Sequence, residues 1–190
     1  MNTNPRRGYS MELRAAATEA TRERVLDAAA AAFLERWYDD VTIAEVARRA
    51  GVSGQTVINH FGGKEELARA AYERLSEQIV LRRYTPEAGD LEGAVEALAD
   101  DYEITGDAVI RMLALEEKVP ALGPQLERGR AGHREWVEAM FRAPELVPEL
   151  VVATDVYTWK LLRRDQGLSR DETAAAILRI VEALLERRTR

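Results

Sequence analysis

Gln55 and Asn59 stand four residues apart in the short segment Gly54-Gln55-Thr56-Val57-Ile58-Asn59-His60-Phe61. A primary amide presents a donor and an acceptor side by side, the pair that matches adenine N6 and N7 in the major groove of DNA. On a helix, residues four apart share a face, so the two amides point one way while Val57 and Phe61 point the other. The outer face is then Gly54, Gln55, Thr56 and Asn59, uncharged and slim, with Ile58 and His60 beside it. An apolar group there suits a thymine methyl. Groups suited to phosphate surround this face: Thr42, Ser53, Thr56, His60 and Lys64. Lys64 is the only lysine or arginine between Arg49 and Arg69. Phosphate contacts set register without reading sequence, so the two sets divide the work of positioning and reading a duplex.

The elements that must hold these residues are written locally. Thr42 and Glu45 form a Thr-x-x-Glu capping box, and Val41 faces Val46 across it as a hydrophobic staple. Ile43, Val46, Ala47 and Ala50 continue as one helical stripe, and Gly51 supplies the left-handed end. Ser53 is the next N-cap, with Val52 and Val57 spaced as a second staple. Gly62-Gly63 stops this helix after Phe61. Two capped helices joined by Ala50-Gly51-Val52-Ser53 have the spacing of a helix-turn-helix. Before them, Val25, Ala28, Ala29, Ala32 and Phe33 predict a helix over about 21–36. After them a helix is expected from Lys64 to Arg83. Beyond the break at 85–90, helices are expected near 91–103, 106–118, 124–142, 145–165 and 170–188, the last opened by a Ser169/Glu172 box. Residues 1–20 lack apolar periodicity and read as a flexible arm, whose Arg6, Arg7 and Arg14 suit an adjacent minor groove. The fold class expected is all-α.

Composition excludes several chemistries. The 190 residues contain no cysteine and only two histidines, His60 and His133. Thiolate catalysis, disulfides and histidine-rich metal centres are therefore out, and neither a cofactor nor a metal is expected. Glycine-rich phosphate loops, a Gly-x-Ser-x-Gly elbow and metal-spaced histidine pairs are absent from the sequence, so an enzyme is not expected. The longest apolar run, Ala28–Leu34, is too short to cross a bilayer, and the first 25 residues hold no signal-peptide core. A cytoplasmic protein without a membrane partner is the expectation. Charge is uneven: residues 1–83 carry 13 Lys/Arg against 12 Asp/Glu, whereas 84–190 carry 14 against 21. The acidic total speaks against indiscriminate nucleic-acid binding and leaves room for one local contact face.

Arg24-Val25-Leu26, Ala28-Ala29, Phe33, Val41 to Ala47, Ala50 to Ser53, Thr56-Val57, His60-Phe61 and Lys64 to Leu67 together resemble the tetracycline-repressor-type (TetR/AcrR) regulators. The resemblance covers about residues 21–68. It implies an N-terminal three-helix helix-turn-helix DNA-binding domain over 21–68 and a helical ligand-binding and dimerisation domain over 69–190. It also implies a homodimer formed by the last two helices and release from a palindromic double-stranded DNA operator when a small-molecule inducer binds. By position, Thr42, Thr56, His60 and Lys64 match contact sites of the family, and Ser53, Gly54 and Gln55 match the start of its reading helix. Two positions depart. Ile58 replaces the usual tyrosine. Trp37 replaces the usual glycine, which predicts a rebuilt corner with the indole packed on the short helices.

For the C-terminal half, Tyr102, Met112, Glu116, His133, Trp136, Met140, Tyr157 and Trp159 are candidates for a ligand pocket; the acidic balance fits a cationic inducer and equally a plain solvated surface. Ile177, Ile180, Val181, Leu184 and Leu185, with Leu150, Val151, Tyr157, Thr158, Leu161 and Leu162, offer a face for a four-helix dimer contact; the monomeric alternative hides the same faces inside the chain. The function expected is a ligand-responsive transcriptional regulator, a repressor released by its inducer. The alternative is a helical interaction protein or small enzyme that has lost operator binding, favoured by Ile58 and the low N-terminal charge.

Overall fold

The computed structural model describes residues 5–187, with side chains from Leu13 onward. Every regular element among them is helical: α1 (Pro5–Glu35), α2 (Ile43–Ala50), α3 (Gly54–Phe61), α4 (Lys64–Arg83), α5 (Leu91–Leu113), α6 (Gly123–Phe141), α7 (Val147–Thr154), α8 (Val156–Lys160) and α9 (Arg170–Glu186). Short 3-10 turns cover Tyr38–Asp40, Pro120–Leu122 and Pro144–Leu146, and a π-helical turn covers Leu161–Asp165. The residues divide into two compact units that part at Arg74 and Leu75, within α4.

In the first unit, Val25, Ala29, Ala32 and Phe33 of α1 meet Val46 and Ala47 of α2, Val57 of α3 and Leu67, Ala68 and Ala71 of α4 in one buried core. Phe33 lies 6.0 Å from the Tyr38 ring and 5.4 Å from Tyr72. Gly51 closes α2 at φ +67°, and the Val52 N–H reaches back to the Ala47 carbonyl at 3.0 Å. That left-handed residue turns the chain between the two short helices at no steric cost.

Three local readings are corrected here. α1 starts at Pro5, so residues 5–20, expected as a flexible arm, are helical. Apolar periodicity reports burial, and residues 13–20 are all exposed; the alanine-rich stretch is helical by propensity instead. Residues 1–4, and the Arg6 and Arg7 side chains, lie outside what is described. At the α2 cap, Thr42 accepts the Glu45 N–H at 3.1 Å, but the Glu45 carboxylate goes to Arg36 at 2.6 Å and Arg49 at 2.9 Å. Glu45 thereby ties α1 to α2 rather than closing a reciprocal box. Trp37 has extended backbone (φ −63°, ψ 149°), which any residue adopts, and its indole is 50% exposed rather than packed.

The second unit has its own core: Ala94, Val95, Leu98 and Tyr102 of α5, Trp136, Val137 and Met140 of α6, Leu150 and Ala153 of α7, Trp159 of α8, and Ile177 and Val181 of α9. α5 runs unbroken through Gly106, where two helices were expected. The glycine is there because a Cβ would lie 2.5 Å from the Trp159 ring. The expected 145–165 helix is broken at Asp155, whose extended backbone ends α7 and whose carboxylate caps the Tyr157 N–H at 2.8 Å. The π turn that follows lets two consecutive arginines both reach α5. Arg163 pairs with Glu103 at 2.8 Å and Arg164 with Asp107 at 3.0 Å. Ser169 and Glu172 do form the reciprocal capping box that opens α9.

Candidate nucleic-acid interface

α3 is fixed from below by its two apolar residues. Val57 is fully buried, Phe61 is 9% exposed, and the Arg22 guanidinium lies 5.3 Å over the Phe61 ring. The other side of the helix is open. Gln55, Ile58 and Asn59 are exposed, while Gly54, Thr56 and His60 are half-buried. Gln55 Nε2 donates to Asn59 Oδ1 at 2.9 Å. This bond pre-orders both side chains and leaves the Gln55 oxygen and the Asn59 nitrogen for an outside partner. The surface is thus an amide ridge with Ile58 on its flank.

The candidate phosphate groups border this ridge. Ser53 Oγ accepts the Thr56 N–H at 3.0 Å and lies 2.8 Å from Thr56 Oγ1, so the two hydroxyls form one polar pair at the start of α3. Exposed Thr42 occupies the equivalent place on α2. The first backbone N–H groups of a helix favour an anion, so both starts suit phosphate oxygens. His60 sits in the last turn of α3, its ring 6.3 Å from that of Phe61.

Lys64 opens α4 and is positioned by a corner the sequence reading passed over. Its Nζ donates to the Asp39 carbonyl at 3.2 Å and stands 4.4 Å over the Tyr38 ring. Partial burial lowers its pKa against the opposing pull of Asp39 and Asp40. The ammonium is therefore held by carbonyl and ring rather than swinging freely. Arg36 and Arg49 are engaged with Glu45, and Arg49 also with Glu35 at 2.8 Å.

The candidate ligand residues of the second unit do not form one group. Tyr102, Trp136, Met140 and Trp159 are buried, and His133 and Met112 half-buried. Glu116 is exposed in an ion pair with Arg130, and Tyr157 is 55% exposed. What the sequence reading missed is a buried polar knot. Fully buried Asp101 accepts from Arg82 Nε and Nη2 at 2.8 and 2.6 Å and from Arg83 Nε at 2.8 Å. Arg83 Nη1 meets His133 Nδ1 at 3.2 Å, and His133 Nε2 meets Thr154 Oγ1 at 3.2 Å. The Thr154 hydroxyl donates on to the Leu150 carbonyl at 2.7 Å. His133 therefore accepts from Arg83 and donates from Nε2. Burial, then the Arg83 charge, pushes its pKa down to about 3. One signal was available: Asp101 falls in helical phase with Ala94 and Leu98, whereas Asp100 does not.

Comparison with known proteins agrees with this geometry. The family described as bacterial regulatory proteins, tetR family, matches residues 25–71. The transcriptional regulator SrpR of Pseudomonas putida is 36% identical over 89 residues, 45% of this chain and 41% of SrpR, so the match spans less than half of that relative. A tetR-family regulator from Streptomyces coelicolor superposes with a TM-score of 0.73 at 20% identity, covering 88% of this chain and 81% of its own. The multidrug binding protein EbrR, solved with imidazole, gives a TM-score of 0.60 at 22% identity over 84% and 88%. These two likenesses establish a shared all-helical fold. Residues 25–71 thus match the family of bacterial regulatory proteins, tetR family, and they sit in a chain whose all-helical fold is shared with a solved tetR-family regulator.

Proposed function

We propose that the protein is a ligand-responsive transcriptional regulator, a repressor that leaves a palindromic double-stranded operator when a small molecule binds its second unit. The observation that carries the reading is the exposed Gln55/Asn59 ridge on α3, clamped by Val57 and Phe61. It has the width, polarity and apolar flank that the major groove accepts. Thr42, Ser53, Thr56, His60 and Lys64 serve as phosphate contacts beside it.

A homodimer accompanies this reading. Of the face expected for pairing, Leu150, Ile177 and Val181 lie in the unit's own core, whereas Tyr157, Leu161 and Ile180, together with Val152, are exposed; Ala176, Arg179, Ile180, Ala183, Leu184 and Arg187 line an open groove along α9. Pairing through this face would hide apolar surface, and a dimer that reads successive major grooves needs its two reading helices about 34 Å apart. Among the described residues no helix is long and apolar enough to cross a membrane.

The test is selection from a random-sequence duplex pool with the full chain, followed by gel shift at several salt concentrations. Enrichment of a palindromic or near-palindromic site with salt-sensitive affinity supports the reading. Failure to enrich any site overturns it in favour of a helical interaction protein, which the engagement of Lys64 with Asp39 and Tyr38 would then explain.

A further inference from the structure

The polar knot of the second unit is a cage around a cation, and the cation is the protein's own. The Arg83 guanidinium carbon lies 4.6 Å from the Tyr102 ring centre and 5.8 Å from that of Trp136. Its Nε donates to Asp101 at 2.8 Å. His133 stacks on Trp136 at 5.7 Å between ring centres. Ring faces carry the negative end of the aromatic quadrupole, and proteins that bind organic cations use such faces together with a carboxylate.

The carboxylate is shared in a way that makes Arg83 replaceable. Arg82 holds Asp101 Oδ1 with two bonds, and Arg83 holds Oδ2. Removing the sole partner of a buried charge is strongly destabilising; here Arg82 remains when Arg83 leaves. The Arg82 side chain is 29% exposed, so water reaches the member that stays. Withdrawal of Arg83 then leaves two ring faces and one carboxylate oxygen without a cation. A second planar cation entering in its place restores both and keeps the buried charge unchanged. An anion would meet the negative ring faces and Asp101, with the Asp155 charge also reaching Tyr102.

We propose that Arg83 is the internal occupant of an organic-cation site, and that a flat monocation of the guanidinium or amidinium class competes with it for Asp101, Tyr102 and Trp136. The proposal rests on the ligand-responsive reading above and names its ligand class. Competition has a local consequence in α4. The Trp136 Nε1–H holds the Arg83 carbonyl at 3.0 Å, so the backbone stays pinned and Arg82 keeps its hold on Asp101, while the Arg83 side-chain ties to Asp101 of α5 and His133 of α6 are given up.

The experiment is calorimetric titration of the full chain with benzamidinium, with neutral benzamide as the shape control. Wild type binds benzamidinium and not benzamide. Arg83→Met removes the competitor and binds benzamidinium tighter by about tenfold or more, as expected when an occluded state no longer taxes affinity. The proposal is overturned if Arg83→Met binds no tighter than wild type, or if benzamide binds as well as benzamidinium. Where circular dichroism shows Arg83→Met unfolded, the wild-type comparison decides, and equal or absent binding of the two probes overturns the proposal. A gel shift with the selected duplex separates this result from the fate of the ligand-responsive reading. Benzamidinium that binds the cage and leaves the DNA complex intact upholds the cage and removes ligand response at this site. A compound that releases DNA while benzamidinium binds neither protein upholds ligand response and removes the cage.

Discussion

Lowering the pH from 7 to 5 should destabilise the second unit through His133. Desolvation of the half-buried imidazole, and then the neighbouring Arg83 charge, holds its pKa near 3 in the folded chain against an ordinary value near 6.5. A folded pKa depressed in this direction means that the unfolded chain takes up the proton first. Stability is therefore complete above about pH 6.5 and is lost progressively as the pH falls toward 3. Between pH 7 and pH 5 the unfolded state gains about 2 kcal/mol from this one protonation. Urea unfolding at the two pH values measures it, followed by the emission of Trp136 and Trp159, both buried in this unit. Wild type should lose about 2 kcal/mol more than His133→Gln over that interval. Carboxylates held down by arginine partners, such as Glu103 by Arg163, act equally in both proteins and cancel in the comparison. Equal losses in the two proteins would refute the assignment of a desolvated, neutral His133.

Gly106→Ala places a Cβ 2.5 Å from the Trp159 ring. It should lower stability by about 1–3 kcal/mol through overpacking, read as a fall in the thermal midpoint; an unchanged midpoint would mean that α5 and α8 pack less closely than described. Ile180→Glu sets a charge on the exposed face of α9. It should convert a dimer to a monomer in sedimentation without loss of helical signal, and a variant that remains dimeric would move the pairing face elsewhere.

What could be read from the chain was what its near neighbours determine. Thr42, Ser53 and Gly51 act on groups within four positions, and their capping and turning roles need no tertiary partner. The exposure of Gln55 and Asn59 follows from helical phase once Val57 and Phe61 are assigned to the core. What escaped depends on distant residues. Gly106 reads as a break until Trp159, 53 positions later, is seen to fill its space. Glu45 reads as half of a capping box until Arg36 and Arg49 claim its carboxylate. Arg82 and Arg83 read as basic residues at a helix end, and only packing joins them to Asp101 and His133. The candidate DNA face was therefore legible as a face. The candidate ligand site was not, because a list of aromatic residues carries no information about which charge they enclose.

The central claim is that the amide ridge of α3 reads bases while its surroundings hold phosphates. The direct measurement is a gel-shift series comparing Gln55→Ala and Lys64→Ala on the selected duplex and on single-base variants of it, across salt concentrations. Lys64→Ala should weaken binding to all sequences alike and reduce the salt slope by about 1. Gln55→Ala should cost about 1–3 kcal/mol at particular base pairs and leave the salt slope unchanged. Uniform weakening by both substitutions, with no base-specific loss for Gln55→Ala, would contradict the account.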